Sequence, residues 1–164
     1  MNIALLDGLV MDSLSKSLSK AERQFYKQDG ELVTRITAET EKERHAAERC
    51  VVFSYGAHLR KILKENDLFH DFHLDCEYNL DMDGYKSRDG HLCYPDLIIH
   101  KRASNTFNLT MIECKGWWST PSSAEEARNK IRFFMDPCGR YQYSYGLLMT
   151  FNRSAITYEW IDRD

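Results

Sequence analysis

The run Ser144-Tyr-Gly-Leu-Leu-Met-Thr-Phe151 is almost wholly apolar. A strand with one wet face alternates apolar and polar residues, so an apolar run of this kind marks a central strand covered on both faces. Covering both faces of a sheet takes helices, which places the chain among α/β folds. Two further β-rich runs come earlier, Tyr94-Pro-Asp-Leu-Ile-Ile-His100 and Asn108-Leu-Thr-Met-Ile-Glu-Cys-Lys115, joined by a polar loop as a hairpin. Between this hairpin and the apolar run lies a segment with helix signals. Ser122 or Ser123 stands as N-cap, Glu125 or Glu126 falls in the first turn, and Asp136-Pro137 stops the helix after about Met135. A strand, helix, strand succession of this kind implies a parallel, right-handed crossover. With a closing run at Ala155-Ile-Thr-Tyr-Glu-Trp160, the expectation is a central mixed β-sheet flanked by helices, in two layers or as a three-layer sandwich.

Upstream, Ile3, Leu6, Val10, Leu14 and Leu18 recur at spacings of three and four, which predicts an amphipathic helix within a segment from Met1 to about Thr37. Asp29-Gly30 marks a turn before a second apolar patch at Leu32, Val33 and Ile36. Residues 1–38 read as an N-terminal helical extension and 39–164 as the main domain. The extension's apolar stripe suits packing on the core, pairing of two copies as a homodimer, or recognition of a partner. Glu39 to Lys64 predicts a long helix, with Val51, Val52, Tyr55, Leu59, Ile62 and Leu63 on one face and Gly56 permitting close approach to the sheet. Phe72 to Leu80 alternates strictly, with His73, Asp75, Glu77 and Asn79 on a polar face and Cys76 among the apolar residues opposite. Asp81 to Gly90 is turn-rich, with Asp83-Gly84 and Asp89-Gly90 flanking Lys86 and Arg88.

A chain of 164 residues with 43% apolar residues suits one domain with a sizeable core. Its net charge of −3 supplies no global basic field, so any nucleic-acid contact needs a local patch. Five cysteines, odd in number and without a CxxC pair, indicate reduced core thiols and neither a zinc knuckle nor a disulfide framework. No basic leader with an apolar run opens the sequence, and no stretch is long enough to span a membrane. The expectation is a cytoplasmic protein without a membrane partner.

The hairpin carries the chemistry. Asp96 stands at the entrance of its first strand, while Glu113 and Lys115 stand at the exit of the second, seventeen and nineteen positions later. Antiparallel pairing brings these ends together, and residues two apart share a face, so the three side chains converge while Cys114 points into the core. Two carboxylates with the Cys114 backbone carbonyl between them form an oxygen-rich site for a hard cation such as Mg²⁺, which takes few protein ligands. A water activated by such an ion is a usable nucleophile, and Lys115 can orient it, help deprotonate it or stabilise charge on a phosphate. An ordinary hairpin with charges at its wet end is the plainer alternative. Glu77 is either an acid beside this site or a solvent-facing charge on an edge strand. Lys86 and Arg88 form either a phosphate-holding pair or a solvated loop. His100 lacks a second ligand at metal spacing and reads as structural. Of Trp117 and Trp118, one is expected in the core; the other is left between core and base stacking.

Pro95-Asp96 followed by Glu113-Cys114-Lys115 resembles the motif of the PD-(D/E)xK nuclease superfamily. The chain is similar in particular to a set of small bacterial members, through Glu48-Arg49 to Ala57, Asp75-Cys-Glu-Tyr-Asn79, Pro95 to Arg102, Asn108-Leu109 and Tyr143-Ser-Tyr-Gly-Leu147. The resemblance implies a restriction-endonuclease-like core and a Mg²⁺- or Mn²⁺-dependent nuclease, endo- or exo-acting, with DNA expected over RNA. It implies catalytic roles for Asp96, Glu113 and Lys115, and metal ligation by Asp96, Glu113 and Cys114. It adds Glu48 to the metal shell from the preceding helix, where the residue alone reads as a solvated carboxylate. It also implies that Lys130 reaches the site from the following helix, where the plainer alternative is a salt-bridged surface lysine. The rival expectation is a catalytically silent nuclease-fold subunit that binds or assembles within a larger nucleic-acid-processing or defence complex.

Overall fold

A computed structural model describes residues 3–36, 40–81, 84–104 and 106–163. Met1, Thr37, Glu39 and Asp83, which figured in the expected segment bounds and turn, lie outside the described residues. In chain order the elements are α1 (Ile3–Gln28), α2 (Glu31–Thr34), α3 (Glu41–Lys64), β1 (His73–Cys76), β2 (Leu80–Asp81), β3 (Gly84–Tyr85), β4 (Ser87–Arg88) and β5 (His91–Leu92). They continue with β6 (Leu97–His100), β7 (Asn108–Gly116), α4 (Pro121–Met135), β8 (Tyr145–Phe151) and β9 (Ile156–Ile161).

The centre is a mixed five-stranded sheet in the order β1-β6-β7-β8-β9. β6 and β7 form the expected antiparallel hairpin, with Leu97 opposite Ile112 and Ile98 opposite Met111. β7 and β8 run parallel, with Thr110 opposite Tyr145 and Gly116 opposite Phe151, because α4 carries the chain back between them. Strand alternation then sorts the side chains. Leu97, Ile99, Ile112, Cys114, Leu147 and Met149 join one core cluster with α1 and α3, whereas Ile98, Met111 and Leu148 join another with α4. The arrangement is therefore helices, sheet, helix, and the apolar run of β8 is buried from both sides.

Sequence chemistry explains the boundaries. Thr40 and Glu43 close a capping box at the start of α3. Gly56 lets α3 approach the sheet, since a Cβ there would meet Leu97 at 3.2 Å and the Cys76 sulfur at 3.3 Å. α4 is capped by Thr120, whose hydroxyl accepts from the Ser123 N–H, and not by Ser122 or Ser123; Pro121 takes the first helical position, so the cap falls one residue before it. α1 docks through Leu14, Leu18, Ala21 and Phe25, all buried. The Phe25 ring lies edge-on to Tyr55 and to Phe151 at 6.0 and 5.7 Å, and the Tyr26 hydroxyl donates to the β8–β9 turn at the Ala155 carbonyl, 2.8 Å away.

Four expectations are corrected. β1 ends at Cys76 and does not run to Leu80, because Glu77 takes φ 47°, a left-handed conformation that turns the chain out of the sheet. The expected polar face is divided: Glu77 is exposed, but Asp75 is buried against His100 and Arg102 because the chain after Glu77 folds back over it, bringing the Tyr78 ring to 4.8 Å from His100. Leu80 and Cys76, expected on the apolar face, are exposed. Of the five free cysteines only Cys93 and Cys114 are core thiols; Cys50, Cys76 and Cys138 are exposed. Among the described residues no helix is long and apolar enough to cross a membrane.

Candidate functional site

The hairpin's open end forms the floor of a cleft of about 630 Å³. Asp96 lies one residue before β6, and its Oδ2 accepts the Cys114 N–H at 2.7 Å, tying it to the neighbouring strand beyond the last ladder pair. A strand residue's N–H and C=O point to the same side, so the Cys114 carbonyl faces the Asp96 side as well. Glu113 follows on β7, its Oε1 accepting the Asp96 N–H at 3.4 Å. It is only 3% exposed. Burial, and then the negative charge of Asp96, push its carboxyl up to about 8 despite the opposing pull of Lys130. Asp96 is likewise raised, by burial foremost, with Lys130 and the Cys114 N–H pulling the other way.

Cations enter from both layers. Lys130, on α4, sets its Nζ 2.7 Å from Glu113 Oε1 and donates to the Tyr94 carbonyl at 2.7 Å. Burial disfavours its charge, but Glu113 and Asp96 outweigh that and hold its pKa above the ordinary value. From α3, Glu48 reaches over the end of the sheet: one oxygen accepts the Gly116 N–H at 3.2 Å and the other lies 3.7 Å from Lys115 Nζ. Gly116 is required there for packing, since a Cβ would stand 2.3 Å from the Trp118 ring. Glu77 sits across the cleft, held by the Arg49 guanidinium at 2.7 Å.

Asp96, Glu113, Cys114, Lys115, Glu48, Glu77 and Lys130 are thus brought to one place. Lys86 and Arg88 are not. Lys86 is 2% exposed, donates to the Leu80 carbonyl and lies over the Tyr78 ring. Burial lowers its pKa to about 8 although Asp81 and Asp75 oppose this. Arg88 lies over the Phe133 ring and beside Asp89, lining a separate hollow. Sequence reasoning passed over Phe53, which lines the cleft, and gave Arg49 no role. The signal for Phe53 was an aromatic standing off the apolar stripe of α3. Of the tryptophans, Trp118 packs on Gly116, while Trp117 is exposed with the Arg153 guanidinium 4.6 Å from its ring centre.

Among the described residues no group of three or more His, Cys, Asp or Glu is gathered to hold an ion. Glu48 lines the same cleft as Asp96 and Glu113, where it meets Lys115 and the Gly116 N–H. Two buried, mutually repelling carboxylates and a carbonyl remain. That donor set fits a small hard divalent cation, which is content with one or two carboxylates and fills its other positions with water and phosphate oxygens.

The chain matches no family model, no curated protein and no solved structure.

Proposed function

We propose that this protein is a Mg²⁺- or Mn²⁺-dependent nuclease with a restriction-endonuclease-like core. One observation carries this reading: Asp96, Glu113 and Lys115 line one cleft at the open end of the β6–β7 hairpin, with the two acids joined by the Asp96 N–H to Glu113 contact. Asp96, Glu113 and the Cys114 carbonyl would hold the ion. When bound, it supplies Lewis-acid stabilisation of a phosphate and a water of lowered pKa.

The residues divide the remaining work. Lys115, steered by Glu48, presents an ammonium to the scissile phosphate and stabilises the charge that grows on its oxygens. The Cys114 N–H fixes the Asp96 carboxylate so that its second oxygen is aimed, not searching. Lys130 neutralises the acid pair before substrate arrives, which keeps two like charges tolerable in a buried place. DNA is the favoured substrate, by resemblance alone.

Incubation with plasmid, single-stranded DNA and RNA, with and without Mg²⁺ or Mn²⁺, tests this. Metal-dependent cutting that falls by about a hundredfold or more in Lys115→Ala is expected, the scale of losing one charge-stabilising donor. A second reading, a silent binding or assembly subunit, draws support from cleft cations already paired with carboxylates and from the net charge of −3. Absence of cutting of any of the three substrates, with any metal, selects it.

A further inference from the structure

Three features of the cleft do not concern the hydrolytic step. Phe53 is 70% exposed on α3 and lines the cleft beside Val52, so a large apolar ring is held against water next to the acids. A second hollow of about 780 Å³ adjoins the first, and Lys130 lines both. In it stands Tyr94, 46% exposed, whose carbonyl anchors Lys130. Phe53 belongs to α3 and Tyr94 to the hollow beside α4, and Lys130, which pairs with Glu113, lines both.

The charges argue about what lies there. In the cleft, Arg49, Lys115 and Lys130 each have a carboxylate within reach, and in the second hollow Asp89, Glu125 and Glu126 stand beside Arg88 and Lys130. A duplex carries about one negative charge per 1.7 Å and is held by a stripe of cations on its phosphates, which the described residues around the cleft do not offer. A single strand needs far less, because its unstacked bases present faces that aromatic rings bind irrespective of sequence.

Resting on the nucleic-acid reading of the cleft, we infer that the substrate is single-stranded nucleic acid, laid over the end of the sheet with one base on Phe53 and another on Tyr94, so that the backbone running from one to the other passes the carboxylates. The flanking rings set the strand's register.

The test is anisotropy of a short fluorescein-labelled oligodeoxynucleotide, single-stranded or annealed to its complement, with the full chain in Ca²⁺. Both rings are exposed, so Phe53→Ala and Tyr94→Ala leave the fold intact. Single strand should bind at least about tenfold tighter than duplex, and each substitution should weaken it by about fivefold to a hundredfold. Equal or tighter duplex binding, an unchanged affinity in the double variant, or no binding of either form overturns the inference. Cleavage of duplex with both variants at wild-type rate would sink it while leaving the nuclease reading standing. Ring-dependent strand binding without any cutting would do the reverse.

Discussion

A carboxylate at the bottom of a cleft and a carboxylate in a structural ion pair look alike in a sequence, and here both occur within one chain. Asp75 is buried, accepts from the Arg102 guanidinium and sits 3.0 Å from His100 Nε2. Burial alone would raise its carboxyl, but the Arg102 and His100 hydrogen bonds more than offset this and hold it below the ordinary range. Its unfolded pKa is therefore the higher of the two. The stability it contributes is complete above about pH 4, and it is lost as pH falls through the folded value. Asp75→Asn should cost roughly 1.5–3 kcal/mol at pH 7, the range for hydrogen bonds to charged groups. Urea titrations should show the gap to wild type narrowing as the buffer is taken below about pH 4. A gap that stays constant would show that Arg102 and His100 do not depend on the charge. Glu113→Gln should abolish Mn²⁺ uptake measured by calorimetry, because it removes one of the two proposed acidic ligands, whereas Lys130→Met should leave uptake in place by taking away only a competing cation. Uptake undiminished in Glu113→Gln would move the metal site elsewhere. The Asp96, Glu113 and Lys115 constellation was legible because hairpin pairing and period-two alternation are local rules. The partners of Glu48 and Asp75 were not, since they depend on how α3 crosses the sheet end and how residues after 76 fold back.

Elements that meet face to face carry the next level of organisation. β8 and α4 approach so closely that a Cβ on Gly146 would stand 2.2 Å from the Ile131 methyl and from the Met135 sulfur. Gly146→Ala should therefore cost about 1–3 kcal/mol, the usual penalty of overpacking, and lower the melting temperature. An unchanged melt would mean that α4 slides freely over the sheet. Here the β8 run spoke clearly, because an apolar strand has few alternatives. β1 did not: nine strictly alternating residues predict one strand, yet a single left-handed residue at 77 ends it, and Asp75 of its polar face lies in the interior. Alternation reports which side chains share a side, but not which side is covered.

The whole molecule is held by α1 as much as by the hairpin. Phe25 stacks edge-on with Tyr55 of α3 and Phe151 of β8, so one ring joins three elements. Phe25→Ala should cost about 3–5 kcal/mol, a large share of a small protein's margin. A chain beginning at residue 39 should fail to give a cooperative thermal transition; a normal transition would show that the segment before it is an independent appendage. Sequence periodicity found the α1 stripe but left its use open among core, partner and second copy, because an apolar stripe looks the same whatever covers it. The structure buries Leu14 and Leu18 of that stripe in the protein's own core, with Val10 packed against them.

The turn at Glu77 has one more consequence. β1 is a margin of the sheet only four residues long before the backbone veers away. A neighbouring chain seeking to extend the ribbon would find almost no run of unsatisfied amides to copy, so lateral accretion into fibrils stalls at that side even when the protein is crowded.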